Sequence, residues 1–168
     1  MSAAFDIVVA RIETLDLDAI VNAANSALMP GGGVDGAIRR AAGPELNALL
    51  ANHGSLAEGE ALTTAGFRLK ARAIIHTVAP IYFGPEREDW KTERLSACYV
   101  NCIAAARALN AASLAFPALG TGAFGWPKQL GRDIALAGVA HALAHAPGPH
   151  VTFCCYTEED AALYRAAL

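Results

Sequence analysis

The sequence predicts an α/β fold, a largely parallel sheet covered by helices on both faces. Three observations carry that prediction. Short apolar runs alternate along the chain with longer stretches of helical period, the element order of βα units. Two of the runs, residues 19–24 (AIVNAA) and 73–78 (AIIHTV), are mostly apolar rather than alternating, as strands buried on both faces are. Two glycine-rich loops, around 31–33 and 120–125, each stand between such a strand and a helix. That is where open α/β sheets bind ligands, at the carboxyl ends of central strands.

Taken in order, residues 5–11 (FDIVVAR) read as the first strand and 15–18 as a turn or short helix. Residues 19–24 form a central strand. Residues 34–42 read as a helix stopped by Gly43 and Pro44, and 45–53 as another. Residues 60–67 (EALTTAGF) show a strand's partial alternation. The strand at 73–78 is stopped by Pro80, and 81–89 form a polar loop with Gly84 and Pro85. The longest helix is expected over 90–109, with Leu95, Cys98, Tyr99, Cys102, Ile103 and Ala106 on one stripe. A short strand at 113–116 leads into GTGAFGWP and a helix over 128–145. A last strand at 151–156 and a helix at 158–168 close the chain. No repeat or linker interrupts it, so one domain over 1–168 is expected. That length can bury about two thirds of the unfolded surface.

Composition bounds the function. Hydrophobic residues make up 54% and charged residues 17%. The net charge of −3 lacks the basic field that general nucleic-acid binding needs. The longest apolar stretch, near 134–144, is broken by Gly138 and His141, short of the ~18 residues of a membrane span. The opening MSAAFDIVVARIE has no basic region followed by a long apolar run, so no leader is expected. Cys98 and Cys102 lie one helical turn apart, and Cys154 and Cys155 are adjacent in a strand, pointing to opposite faces. None has metal-site spacing. They read as reduced, buried cysteines of a cytoplasmic protein.

The stretch 19–43 organises the site. Its strand carries Asn22 and leads to Asn25, then to the consecutive glycines 31–33 and to Asp35 at a helix start. Glycine lets backbone approach a ligand closely. Free N–H groups and the dipole at a helix start favour a phosphate. A phosphate cradle needs neither asparagine nor carboxylate, so these suggest a sugar that is held and acted on. The loop Gly120, Thr121, Gly122, Ala123, Phe124, Gly125 and Trp126 is a second cradle. Two cradles imply two phosphates, or a diphosphate clamped from both sides. Phe124 and Tyr156, at strand ends, are placed to stack on a ribose or base. His76 reads as a satisfied core histidine, and Asn22 as fixing the loop through backbone bonds. Trp90 and Trp126 read as packing residues. Arg39 is either an i+4 ion-pair partner of Asp35 or a functional group. His53, His141, His145 and His150 form no ligand spacing.

The blocks VNAANSALMPGGGVDGAIRRAAG, AIIHTVAP, FPALGTGAFGWP and FCCYTEEDAALY, in that order and over essentially the whole chain, resemble the macro domain family. The nearest branch removes ADP-ribose from acidic side chains and deacetylates O-acetyl-ADP-ribose. The resemblance implies a three-layer α/β/α fold with a central mixed, largely parallel sheet. It implies an ADP-ribose cleft contacted by Ile12, Asn25, Gly32, Gly33, Val34, Gly120, Thr121, Gly122, Ala123, Phe124 and Tyr156. The diphosphate would lie between 31–34 and 120–124, the distal ribose near Asn25, Asp35 and Phe124, and the adenine against Tyr156. It implies a hydrolase of acyl or protein Asp/Glu esters, needing no metal or cofactor. Asn25 would hold the ribose hydroxyls, and Asp35 would orient or activate the attacking water. Partners would be ADP-ribose, O-acetyl-ADP-ribose and mono-ADP-ribosylated proteins. The chain departs from the family pattern at Arg11, where an aspartate that bonds the adenine amino group is usual. It departs again at Arg39, where a histidine is common. Gly120 replaces a frequent serine and Pro30 a frequent glycine. A guanidinium cannot accept a hydrogen bond, which leaves Glu13 or backbone to read the base. The alternatives are a non-catalytic ADP-ribose reader and a regulatory protein that binds RNA or a ribonuclease.

Overall fold

Parallel strand ends all face one edge of a sheet, and in this fold that edge carries the candidate site. The computed structural model describes residues 5–168; the opening stretch that argues against a leader begins outside them. The elements are β1 (Phe5–Val9), a 3-10 turn (Ile12–Thr14), β2 (Ala19–Ala23), α1 (Gly33–Ala42), α2 (Pro44–Ala51), β3 (Ala61–Ala65), β4 (Ala73–Thr77), α3 (Glu88–Ala108), β5 (Ser113–Phe116), α4 (Lys128–His145), β6 (His150–Cys155) and α5 (Glu158–Arg165). Six strands form one sheet in the order β1-β6-β5-β2-β4-β3. Every neighbouring pair is parallel except β3 on β4. The sheet is therefore mixed and largely parallel, as the sequence predicts.

Two cores make the three layers. Val21, Ile75, Leu114, Phe116 and Phe153 pack under α3, α4 and α5. Ile20, Ile74 and Ala115 pack under α1 and α2, against Ile38, Leu46 and Leu50. The central strands β2 and β4 are buried on both faces, which is why they read as apolar runs. Cys155 joins the first core and Cys154 the second, the opposite-face placement expected of neighbours in a strand. All four cysteines are free and buried.

The sequence boundaries shift in places. β1 stops at Val9 instead of residue 11, because the chain turns after Ala10, whose N–H donates to the Cys155 carbonyl. The turn or short helix expected at 15–18 lies three residues earlier. There Thr14 bonds the Arg11 carbonyl through both its amide and its hydroxyl. The strand expected at 60–67 is the short antiparallel edge β3. α1 ends as expected at Gly43, whose φ of 92° suits glycine, and Pro44 opens α2.

β2 and β5 are neighbours at the sheet's centre. Their following loops, 24–32 and 117–127, are therefore side by side on the carboxyl edge. Residue 156 follows β6 on the flank of β5, and residues 10–12 follow β1 beyond it.

Candidate active site

The first loop is held by its own side chains. Asn25 Oδ1 accepts from the Met29 amide at 3.0 Å, and its Nδ2 donates to the Met29 carbonyl at 2.8 Å. Leu28, buried in the same turn, takes a left-handed φ of 55°. Asn25 is half-buried. Each arm of its amide already serves the loop, so one N–H and one lone pair remain for a ligand. The glycines 31–33 are exposed. A Cβ at Gly32 would meet nothing within 4 Å, so the loop's outer surface is open. Beneath it the packing is tight. A Cβ at Gly36 would stand 2.8 Å from the Gly31 carbonyl, so only glycine lets α1 approach so closely.

Asp35 is buried, at 4% exposure. Its Oδ2 accepts from the Gly31 amide at 2.7 Å and from Arg39 Nε at 2.9 Å. Its Oδ1 accepts from Asn22 Nδ2 at 2.8 Å. Arg39 is the ion-pair partner, the first of the two roles open to it. Its remaining nitrogens donate to Asn47 Oδ1 at 2.9 Å and to the Leu28 carbonyl at 3.0 Å. The carboxylate and guanidinium thus tie α1 to Leu28 and Gly31 of the loop and to Asn47 of α2.

Asn22 corrects an expectation. It bonds side chains, not backbone. β2 and β4 run in register with Asn22 opposite His76, so both side chains rise on the face that α1 covers. Asn22 Nδ2 lies 3.0 Å from His76 Nδ1, and His76 Nε2 lies 2.9 Å from Thr64 Oγ1. His76 is fully buried and satisfied, as expected of a core histidine. Burial pulls its pKa from 6.5 down to about 4, outweighing the opposite pull of Asp35.

A pH dependence of stability follows. Between about 4 and 6.5 the unfolded chain holds a proton on this histidine that the folded chain does not. The unfolded state binds more protons there, so stability rises with pH. The contribution is full above 6.5 and is lost as the pH falls toward about 4. Its size is on the order of 3 kcal/mol. Urea unfolding at about pH 7 and about pH 4.5 should show a steeper loss for the wild type than for His76→Gln. Equal slopes would remove His76 from the acid response.

The second loop is braced from two sides. Gly120 has φ 80°, and a Cβ there would lie 2.6 Å from the Trp126 ring. Trp126 is buried, its Nε1 donating to the Pro80 carbonyl at 2.8 Å and its amide to the Gly120 carbonyl at 3.0 Å. The Tyr82 amide donates to the Phe124 carbonyl at 2.8 Å. Thr121 Oγ1 donates to the Ala118 carbonyl at 3.1 Å. This side chain is so close to α4 that a Cβ on Gly131 would collide with it, at 2.7 Å. Gly122 and Ala123 are exposed at the tip, and a Cβ on Gly122 would meet nothing within 4 Å. The Pro80–Tyr82 brace is not visible in the sequence, where 81–89 reads only as a loop.

The flank carries the aromatics. Phe124 is half-buried against the core. Tyr156 is 75% exposed at the end of β6, free to stack. Ile12 is buried at 4%, so its side chain serves the core and leaves only main chain for a ligand. Arg11 Nε donates to Glu13 Oε1 at 2.7 Å, an ion pair beside that flank. Among the described residues, no group of three His, Cys, Asp or Glu side chains could hold a metal.

Two open glycine loops on adjacent parallel strands, with a polar amide and a buried carboxylate beside them, define an α/β domain built to take a phosphate-bearing ligand on its sheet edge. The chain belongs to the macro domain family, which it matches over residues 21–135. An O-acetyl-ADP-ribose deacetylase of Enterobacter sp. (strain 638) is 43% identical over 100% of this chain and 95% of its own length. One of Klebsiella pneumoniae (strain 342) is 44% identical over 97% and 95%. The Oceanobacillus iheyensis macrodomain with ADP superposes with a TM-score of 0.90 at 37% identity, covering 95% of this chain and 87% of that one. The Trypanosoma brucei macrodomain in complex with ADP-ribose does so at 0.89 and 33%, covering 97% and 68%.

Proposed function

We propose that this chain binds ADP-ribose across its two glycine loops and hydrolyses esters at the distal ribose, either an acyl ester or the bond to a protein Asp or Glu. The observation that carries the reading is the pairing of two open, pre-braced loops, 31–34 and 120–124, with Asn25 half-buried beside the first and the buried Asp35 carboxylate bonded to its Gly31 amide. Deacetylase relatives that span the chain and ADP-ribose-bound neighbours support it.

The geometry supports a role for each of the site residues. The backbone N–H groups of Gly32, Gly33 and Val34, at the start of α1, and of Gly120, Thr121, Gly122 and Ala123 hold the diphosphate. Tyr156 and the main chain at Ile12 take the adenine, and Phe124 flanks the distal ribose. The free N–H and lone pair of Asn25 bond the ribose hydroxyls. Asp35 already accepts three hydrogen bonds. It therefore orients the attacking water rather than stripping its proton. Water adds to the ester carbonyl, the bond from acyl carbon to ribose oxygen breaks, and that oxygen takes the proton. The products are ADP-ribose and a carboxylic acid. Positioning by the clamped diphosphate supplies most of the acceleration. We place the protein in the cytoplasm, a reading that its four buried free cysteines support. Among the described residues, no helix is long and apolar enough to cross a membrane.

One observation favours a second reading, a non-catalytic reader. A carboxylate so fully bonded is also what a purely structural buttress needs. A single-turnover assay on O-acetyl-ADP-ribose and on a Glu-linked mono-ADP-ribosylated protein decides. Release of free ADP-ribose is expected. Tight ADP-ribose binding without release would make the chain a reader, and salt-dependent RNA binding would revive the third alternative.

The base end makes its own prediction. Arg11 offers only donors, and it partly occupies the Glu13 carboxylate. Discrimination between ADP-ribose and its hypoxanthine analogue should stay below about tenfold, less than one charged hydrogen bond supplies. A preference for adenine above about a hundredfold would show that Glu13 reads the amino group.

A further inference from the structure

We infer that the buried line Thr64–His76–Asn22 is a positioning relay that sets the orientation of the Asp35 carboxylate and, through it, of the first glycine loop. The inference about turnover rests on the hydrolase reading above; the inference about orientation does not.

The hydrogen-bond directions in this line are forced. A carboxylate only accepts, so Asn22 must present its nitrogen, not its oxygen, to Asp35 Oδ1 at 2.8 Å. The same nitrogen's second hydrogen then points at His76 Nδ1, 3.0 Å away. Nδ1 must accept, which puts the ring proton on Nε2, facing Thr64 Oγ1 at 2.9 Å. Thr64 in turn donates to the Ala65 carbonyl at 3.2 Å. Each proton has one available place, so the amide cannot flip and the carboxylate cannot turn. The far oxygen of Asp35 holds the Gly31 amide at 2.7 Å. The orientation thus passes from the sheet's antiparallel edge to the loop.

The relay is maintained against stability. Asn22 Oδ1 is buried and has no partner in the protein. A buried unpaired carbonyl is unfavourable, and an apolar residue of similar shape would avoid it. β2 is otherwise apolar, AIVNA. An asparagine there, with both its hydrogens committed and its oxygen unsatisfied, is explained by what the hydrogens hold. The charged or titratable groups that act on His76 are Asp35, Arg39 and His53. Protonation would give Nδ1 a hydrogen facing the Asn22 amide hydrogens and break the line.

Nitrogen-15 shifts of His76 in the wild type test the relay directly. The Nε2–H tautomer is expected, unchanged from about pH 8 to about pH 5. Amide exchange at Gly31 reads the far end. Asn22→Leu should remain folded, exchange Gly31 about tenfold faster or more, and mix the His76 tautomers. It should lower kcat about tenfold or more while raising the Kd for ADP-ribose by less. Thr64→Val removes only the relay's outer end and leaves the Asn22 N–H on Nδ1, so it should keep the Nε2–H tautomer and lower kcat less. If the wild type does not turn over, the hydrolase reading falls, and the tautomer and exchange results still decide the relay. An Nδ1–H tautomer in the wild type, or Gly31 exchange unchanged in a folded Asn22→Leu, overturns it. So does an active wild type whose Asn22→Leu variant keeps kcat within about twofold.

Discussion

Gly122→Val should abolish ADP-ribose binding and leave the fold intact. The added Cβ meets nothing within 4 Å, and Gly122 is not among the glycines held in the left-handed region. The loop's shape is set elsewhere. Gly120 and Gly125 take its left-handed turns, and Trp126 is anchored on Pro80. A valine at the tip therefore stands outward, over the amides proposed to hold the diphosphate. Keeping the phosphates from two N–H groups forfeits two charge-assisted bonds of about 1.5–3 kcal/mol each, or roughly a hundred- to ten-thousandfold in affinity. The melting temperature should hardly move. Gly120→Val is the contrast. Its Cβ would sit 2.6 Å from the Trp126 ring at φ 80°, so it should lose stability as well as binding. Calorimetry and a thermal melt on both variants separate the cases. Near-native affinity in a folded Gly122→Val would remove this loop from the site.

What the sequence reveals of such a site is whatever is local. The two glycine loops are contiguous stretches after apolar runs, and the Asp35–Arg39 pair is an i+4 spacing on one helix. Each can be read without knowing the sheet order. The relay cannot. Asn22 and His76 are 54 residues apart and meet only because β2 and β4 pair in one register. Thr64 meets His76 only because β3 turns antiparallel on the edge, for which partial alternation is a weak signal. The brace of Pro80 and Tyr82 under the second loop is likewise long-range. The closure of the first loop by Asn25 is hidden too, since it takes a left-handed Leu28 to make the tight turn that the amide closes. The strands are legible because burial on both faces demands apolar residues, whereas the polar groups inside them take their meaning from partners.

Asp35→Ala should lower both stability and turnover, and a second substitution should separate the two. Removing the carboxylate leaves Arg39 charged and 4% exposed, with one Asn22 N–H and the Gly31 amide unpaired. Breaking a buried pair from one side costs about 3–5 kcal/mol, a large share of a domain's stability. Turnover should fall by roughly 10²–10⁴, the range of a lost acid–base or water-orienting group. ADP-ribose affinity should stay within about tenfold, because the phosphates carry most of it and the second loop is untouched. A drop in turnover alone would therefore be ambiguous, since a loosened loop could cause it. Adding Arg39→Met removes the orphaned cation with an apolar chain of similar reach. An apolar replacement of both partners of a buried pair is often neutral or better, so the double variant should recover most of the lost stability. The two sites are in contact, so this coupling should appear as strong non-additivity in a double-mutant cycle. Turnover should not return with it if, as proposed, Asp35 orients the attacking water. Urea unfolding and single-turnover release, measured on the wild type, both single variants and the double, give the full cycle. Recovery of turnover together with stability would mean that Asp35 serves the loop alone. The attacking water would then be oriented by Asn25 or by the substrate's own phosphate.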